Sequence, residues 1–420
     1  ANNIIFVGPD AEAMAALGDK VTAKEVARKA GIPLIESNQD PLLDEATALG
    51  EARRIGYPLM LKAAAGGGGR GMRVVRNDED LRKAFHEARS EAKNAFGDDT
   101  VFLEKFVENP KHIEVQIAAD RHSNIVHLYE RDCSVQRRFQ KVVEIAPAVT
   151  LREETRQQLY DYAVRIASAV GYNNLGTVEF LVEPGGQIYF IEVNPRIQVE
   201  HTVTEMITGV DLIKTQLYIA AGYKLSDPEI DLGDQQKIPK IGFAMQCRIT
   251  TEDPLNNFKP DYGTLVTYRN ATGLGVRLDE GSTYPGMKIS PFFDSMLVKV
   301  STQGKSLDEA AKKMHRALRE FRIRGVKNNI QFLENLITHQ EFVSGNATVN
   351  FIQEHPELFT FVKRLDRGTR VLNFLADVTV NGHPDVKVKD PAKVFEKPVM
   401  PEFDQHKPYP EGTKDRLTRL

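Results

Sequence analysis

Thr177-Val-Glu-Phe-Leu-Val182-Glu-Pro184-Gly-Gly186-Gln-Ile-Tyr-Phe-Ile-Glu192-Val-Asn-Pro-Arg196-Ile-Gln-Val-Glu200-His201 is the stretch that decides the fold. Two runs rich in β-branched and aromatic residues flank Pro184-Gly-Gly186, the turn chemistry of a β-hairpin. Side chains alternate between the faces of a strand, so Glu192 and Asn194 share one face. Glu179 can meet that face from across the hairpin, and three hard oxygen ligands then converge. Closely opposed carboxylates are costly without a cation, which favours a Mg2+ site over a plain polar sheet face. The segment Glu192–His201 then packs charge, amide and imidazole into the residues just after the strand. An arginine beside a carboxylate suits a small oxyanion held by Arg196, with Glu200 accepting a proton. A surface Arg–Glu pair and a structural His201 are the plainer readings of the same residues.

Upstream, Lys62-Ala-Ala-Ala-Gly66-Gly-Gly-Gly69-Arg-Gly71 separates two strand-like runs, Pro58–Lys62 and Met72–Val75. Glycines there let backbone N–H groups approach phosphate oxygens, and Lys62 supplies a compensating charge; a flexible hairpin would use the same glycines. The strand–GxxxxGK[ST]–helix order is absent, so this is not a Walker loop. Glu104-Lys105-Phe106-Val107 follows another strand-like run and can offer backbone groups and an apolar wall to an adenine, or be an exposed strand end. Downstream, Arg248 interrupts the apolar run Gln246-Cys-Arg-Ile249. A buried arginine needs a partner, which makes it a second candidate for anion stabilisation.

The remaining pattern mixes strands and helices, an α+β chain. A strand is expected at Ile4–Val7, then a capping box Thr22–Glu25 opening a helix that stops near Gly31. Helices are expected over 43–55, from Asn77 towards Phe96, over 152–170, after Val210, and twice between Leu307 and Thr338. Strands are expected at His112–Ile117 and Ile125–Tyr129, with a mixed region over 237–300. Beyond Phe359 the chain turns rich in Pro and Lys, as in an extended connector. With 55 Lys and Arg against 58 Asp and Glu, the net charge is −3, and no basic excess points to nucleic acid. Two cysteines, Cys133 and Cys247, make no disulfide framework and suit a reducing compartment. No apolar run is long enough to span a membrane, and the first residues lack the basic start of a signal peptide. The expected location is the cytoplasm, or the mitochondrial matrix in a eukaryote.

Gly18-Asp19-Lys20, Lys62 with its glycine loop, Glu104-Lys105, Glu130–Arg138, Gly176–Phe180 and Glu192–His201 together resemble the ATP-grasp biotin carboxylases, over Asn3 to about Leu358. Arg196–His201 with Thr204–Gly209 is the most specific part. Met245–Arg248, Thr250–Pro254 with Asn256–Phe258, Ser290–Met296 and Phe374–Gly382 lean towards the pyruvate-carboxylase type. The resemblance implies an ATP-grasp fold in five parts. These are the end of an N-terminal lobe (1–34), a mobile glycine-loop lid (35–107), the ATP-grasp core (108–230), a biotin-carboxylase C-terminal subdomain (231–358) and a connector (359–420). It implies that Lys20, Lys62 and backbone groups of Gly67, Gly68 and Gly69 hold phosphates. Glu104, Lys105 and Val107 match the adenine hinge, and His112 and Gln136 lie near the ribose. Glu179 and Glu192 match the metal pair, with Asn194 beside them. Arg196, Gln198, the Val199 backbone and Glu200 match the bicarbonate site, and Lys141 joins the catalytic set. Arg248 matches the arginine facing the biotin ureido oxygen. The implied chemistry uses ATP, Mg2+ (or Mn2+) and bicarbonate, with biotin carried on another domain. Glu200 deprotonates bicarbonate, which attacks the γ-phosphoryl to give carboxyphosphate. Carboxyphosphate releases CO2, its phosphate takes the N1′ proton of biotin, and Arg248 stabilises the enolate. Closure of the lid keeps water away. Biotin carboxyl carrier and carboxyltransferase domains, and a homo-oligomer, are the implied partners.

Two departures stand out. The βαβ lobe with which the family opens is missing ahead of Ala1, which bears on independent folding and on the biotin pocket. Phe139 stands where the common motif has histidine, a change expected to be tolerated. The biotin acceptor motif Ala-Met-Lys-Met is absent, and Gly286-Met-Lys288 matches it only superficially. The alternatives are the carboxylase subunit of an acyl-CoA carboxylase and a non-catalytic ATP-binding fragment.

Overall fold

A computed structural model describes residues 4–38, 40–63, 72–281, 283–361 and 367–383. The strand expected at Ile4–Val7 does not form: Ile4, Ile5 and Phe6 are 83%, 64% and 64% exposed, and no ladder among the described residues includes them. An apolar run becomes a strand only where another edge meets its N–H and C=O groups. Two helices follow, α1 (Ala11–Gly18) and α2 (Lys20–Lys29). The cap of α2 lies one turn earlier than the capping box suggested. The Asp19 carboxylate accepts the Thr22 N–H at 2.9 Å and its hydroxyl at 2.8 Å, so Thr22 lies inside the helix.

Next comes a small layered unit of α3 (Glu45–Ile55), β1 (Leu59–Ala63), β2 (Met72–Val75), α4 (Asp78–Phe96) and β3 (Val101–Lys105). Its antiparallel sheet runs β2-β1-β3. β1 buries alternate residues, and Leu59 and Leu61 pack with Leu103 against Ala48, Ala52 and Phe85 of the two helices. Asn77 caps α4 by accepting the Asp80 N–H at 2.8 Å. Gly97, at φ 78°, ends the helix in the left-handed conformation that favours glycine. The glycine loop between β1 and β2, including Gly67, Gly68 and Gly69, lies outside the described residues.

An eight-stranded antiparallel sheet forms the centre. It contains β4 (Lys111–Ala119), β5 (Ile125–Arg137), β6 (Gln140–Ala146), β7 (Asn174–Val182), β8 (Ile188–Asn194) and β9 (Phe243–Thr250), with Val276–Glu280 and Met296–Gly304 completing one edge. β5 runs beyond the expected Tyr129 and turns into β6 through Arg138 and Phe139, both at positive φ (49° and 65°). Period-two alternation sorts the residues. Ile113, Val115 and Ile117 of β4, with Val178 and Phe180 of β7, pack under α5 (Glu153–Ala169). Val143, Ile145, Met245 and Cys247 pack under α8 (Leu307–Glu320) and α9 (Ile330–Thr338). The opposite parity is polar: His112, Glu114 and Gln116 on β4, Thr177 and Glu179 on β7, Glu144 on β6, Gln246 and Arg248 on β9. Over this face lie α6 (His201–Thr208), packing Val203 and Ile207 on Ala146 and Ala244, and α7 (Leu212–Ala220) on Ala118 and Leu175.

Contacts divide the chain after Phe361. Beyond that point the described part is a helix, Arg367–Asn381, inside what composition had suggested is an extended connector. The Pro- and Lys-rich stretch begins only after it. Among the described residues no helix is long and apolar enough to cross a membrane.

Candidate active site

Hairpin pairing sets Glu179 directly opposite Glu192, and Asn194 opposite Thr177. On the other side, Glu179 pairs with Glu114, which in turn pairs with Arg131. One oxygen of Glu179 receives Lys141 Nζ at 2.9 Å, Asn194 Nδ2 at 2.9 Å and Gln198 Nε2 at 3.0 Å. The other lies 2.8 Å from His112 Nε2. Burial would raise this carboxyl, but His112 and Lys141 hold it well below the usual range.

Lys141 is the hub. Its ammonium reaches Glu114 at 2.5 Å, Glu200 at 2.6 Å and Glu179 at 2.9 Å. Burial works against its charge, yet Glu114, Glu179 and Glu200 raise it well above an ordinary lysine. Arg248 donates from Nε to Glu144 at 2.7 Å and from Nη2 to Glu200 at 3.0 Å, the partner that a buried arginine requires. Arg131 is fully buried and donates to Glu114, to Gln116 at 2.8 Å, to Thr204 at 2.9 Å and to Thr177 at 3.1 Å. Burial would lift Glu200, but Lys141, Arg248 and Arg131 bring it down to about 2. Glu144 goes the other way: burial pushes it up further than Arg248 pulls it back. Four carboxylates (Glu114, Glu144, Glu179, Glu200) thus meet three permanent cations (Lys141, Arg131, Arg248). The seam is thus rich in carboxylate oxygen, the donor type that suits a hard divalent ion, while in this structure Glu179 is met by four donors and the Asn194 oxygen is taken by Arg196.

Other expected residues lie on the same sheet or on the segment that follows β8. His112 Nδ1 is 2.7 Å from Gln136 Nε2, which also donates to the Cys133 carbonyl at 2.8 Å and so fixes the ring. Gln198 is buried, and its Oε1 has no hydrogen-bond partner among the described residues. The Val199 carbonyl accepts Lys299 Nζ at 3.1 Å. Arg196 is exposed, with one Nη on Asn194 Oδ1 at 3.1 Å and the other on the Ile197 carbonyl at 3.2 Å. His201 Nδ1 sits 2.7 Å from the Gln198 carbonyl, a structural contact that shapes the turn into α6. A second group lies on the small sheet. Lys62 pairs with Glu104 at 2.9 Å and Lys24 joins at 3.4 Å, holding that carboxyl down against its burial. Lys105 turns away to the Gly56 and Tyr57 carbonyls at 2.9 and 2.8 Å, while Val107 is buried and Lys20 begins α2.

Sequence reasoning missed Glu114, Arg131, Glu144 and Lys299. The available signal was the alternation His112-Ile-Glu114-Val-Gln116, but alternation marks a face without saying whether water reaches it. Both cysteines are free and buried, and burial pushes their thiols up.

Two family descriptions match consecutive parts of the chain: "Carbamoyl-phosphate synthase L chain, ATP binding domain" over residues 19–228 and "Biotin carboxylase C-terminal domain" over 246–354. Pyruvate carboxylase of Bacillus subtilis is 51% identical over 416 residues, which is 99% of this chain and 36% of that protein. The chain thus spans about a third of the length of its curated relatives. The biotin carboxylase domain of Hydrogenobacter thermophilus 2-oxoglutarate carboxylase, solved with MgADP, ADP and bicarbonate, superposes with a TM-score of 0.79. It is 42% identical, covering 86% of this chain and 78% of that one. Rhizobium etli pyruvate carboxylase, solved with the allosteric activator acetyl coenzyme A, gives a TM-score of 0.79 at 50% identity, covering 91% of this chain and 35% of that one.

Proposed function

The chain belongs to the biotin carboxylase family, and from that premise we propose that it carboxylates biotin with ATP and bicarbonate, as the first half-reaction of a pyruvate carboxylase. The observation that carries this reading is Glu200 clamped between Lys141 and Arg248, beside Glu179. As it stands, Glu200 is ionised at any physiological pH but is a weak base, because Lys141, Arg248 and Arg131 hold it at about 2. Those cations are the groups that an incoming anion would draw away. Once bicarbonate takes hydrogen bonds from Arg248 or Lys141, Glu200 loses part of its compensation and its proton affinity rises.

Glu200 then takes the bicarbonate proton while the bicarbonate oxygen attacks the γ-phosphorus and ADP leaves with the bonding electron pair. Glu179, Glu192 and Asn194 would hold Mg2+ (or Mn2+), which when bound neutralises charge on the phosphates. Lys20, Lys62 and the backbone of Gly67, Gly68 and Gly69 would bind those phosphates. Glu104, Lys105 and Val107 would line the adenine, and His112 with Gln136 the ribose. Arg196, Gln198 and the Val199 backbone would orient the anion. Arg248, kept in place by Glu144, would face the ureido oxygen as CO2 passes to N1′. Residues 35–107 would be the lid, 108–230 the core and 231–358 the C-terminal subdomain. Biotin would arrive on a carrier domain, pyruvate would be the final acceptor in a carboxyltransferase domain, and the assembly would be a homo-oligomer in the cytoplasm or mitochondrial matrix.

The test is ADP release by this chain with Mg2+ and ATP, adding bicarbonate and free biotin separately and together. Stimulation should require both. Glu200→Gln should lower that rate by at least ~10²-fold, as expected for loss of a general base, while nucleotide binding is spared. Turnover like that of the unaltered chain in Glu200→Gln would remove the base from this scheme.

A further inference from the structure

Away from the polar seam, three metal-ligating side chains meet where the C-terminal helices end. His339 caps the short helix α10 (Gln340–Val343), His355 follows α11 (Phe351–Glu354), and Glu357 lies in the turn Pro356–Phe359. One ligand atom from each lies within 4.8 Å of the others. Glu357 Oε1 stands 2.8 Å from His355 Nδ1 and 3.3 Å from His339 Nε2. The two rings are 4.2 Å apart, and the buried Phe351 ring supports both, at 5.2 Å from His339 and 4.8 Å from His355. The two imidazoles are thus set by packing.

We propose that His339 Nε2, His355 Nδ1 and Glu357 form a binding site for a divalent transition metal of the Zn2+ type, with water completing the shell. Metal–ligand bonds of about 2.0–2.1 Å in a tetrahedral shell place neighbouring ligand atoms about 3.3 Å apart. The two Glu357 separations of 2.8 and 3.3 Å are close to that spacing before any adjustment. A second carboxylate does what outer-shell groups do in such sites. Glu341 Oε2 lies 2.9 Å from His355 Nε2, so it can take that N–H and leave the Nδ1 lone pair for the metal. Glu357 is 55% exposed, against 23% and 19% for the histidines, which leaves room for water and an open approach. Imidazole nitrogens select this class of ion over Mg2+, so the site differs in kind from the oxygen donors around Glu179.

One interaction opposes ligation. His339 Nδ1 accepts the Glu341 N–H at 3.3 Å, and binding through Nε2 moves the ring proton to Nδ1 and gives up that cap. At this length the bond is weak, and a metal–nitrogen bond outweighs it. Burial works against the charge of His355, but the carboxylates of Glu357 and Glu341 raise it above an ordinary histidine, so a metal competes with a proton there and its affinity falls as pH falls.

The experiment titrates the chelator-stripped chain with Co2+, read by its visible absorption, and with Zn2+, read by calorimetry, in excess Mg2+. Saturable binding of one equivalent is expected, with proton release. His355→Gln and Glu357→Gln should each weaken it at least tenfold. Zn2+ should raise the melting temperature of the unaltered chain and leave that of Glu357→Gln unmoved. His112→Gln, in the cluster beside Glu179, should leave the Co2+ spectrum unchanged. No saturable binding, or an affinity indifferent to both the His355 and Glu357 changes, overturns the proposal and leaves the cluster a hydrogen-bonded group of His355 with Glu341 and Glu357. Neither ATP nor bicarbonate enters the measurement, so its outcome is independent of the carboxylation reading.

Discussion

The small sheet with α3 and α4 and the polar face of the large sheet use the same charged residues in opposite ways. On the small unit, Arg53 and Asp78 meet at 2.9 Å with side chains 69% and 37% exposed, and Arg76 meets Glu108 at 2.8 Å with 61% and 55% exposed. On the large sheet, Arg131 and Glu114 have no exposed side-chain surface, and Lys141 and Arg248 are nearly enclosed among four carboxylates. Water screens the first set, so each pair is worth little. The second set carries a desolvation penalty that apolar residues would have avoided, so stability alone does not explain it. Four carboxylates gathered around three cations in one enclosed place therefore call for a role beyond stability. That difference separates a surface from a catalytic seam more sharply than any single motif.

The comparison breaks first, if it breaks, at Arg131. Arg131→Met fits the volume but leaves Glu114 with Lys141 alone and removes the donor shared by Gln116, Thr177 and Thr204. Urea unfolding at neutral pH should show a loss of about 3–5 kcal/mol, the usual consequence of breaking a buried pair from one side. A loss below about 1 kcal/mol would mean that the seam behaves like the surface pairs.

A smaller effect lies in the pH dependence. Glu200 is held at about 2 in the folded chain against 4.5 for an ordinary glutamate. Its folded value is depressed, so its contribution is complete above 4.5 and is lost as pH falls through the window down to about 2. Linkage gives a loss of about 1 kcal/mol from this one group between pH 6 and pH 4. Glu179 acts in the same direction, whereas Glu144, raised by burial, stabilises at low pH and loses that contribution as pH rises. Glu200→Gln should therefore flatten the acid limb by about 1 kcal/mol over that interval, measured as the difference between two urea series. Parallel curves would show that Lys141 and Arg248 do not hold Glu200 as the geometry indicates.

The same contrast explains what was legible in the sequence. The hairpin and the facing of Glu179 and Glu192 follow from period two and a Pro-Gly-Gly turn, both local properties of the chain. Arg248 was marked by an apolar run around a charge, and it has its partners in Glu144 and Glu200. Glu114, Arg131 and Glu144 were not legible as a buried network, because burial depends on α6 being laid over their face from elsewhere in the chain. The turn at Arg138 and Phe139 contains neither Gly nor Asn, so the continuation of β5 into β6 left no turn signal. Glu130 opens one of the stretches that carry the family resemblance, and in the structure it anchors Arg156 at 2.9 Å and the Tyr160 hydroxyl of α5. At Ile4–Val7 the pattern was present without a partner strand among the described residues, and pattern alone makes no ladder.

The smallest effect should come from Arg76. Its guanidinium links the end of β2 to Glu108 beyond β3, spanning the edge of the small sheet where a tie between segments looks structurally useful. Both side chains are more than half exposed, so the Coulomb attraction acts through water while two long side chains give up rotamer freedom. Arg76→Ala and Glu108→Ala, alone and together, should give a coupling within about 0.5 kcal/mol that shrinks further in high salt. A salt-insensitive coupling above about 1 kcal/mol would place this pair in a drier environment than its exposure implies. The division between screened surface and enclosed seam would then have to be drawn inside the small unit, along the strand edge that Arg76 borders.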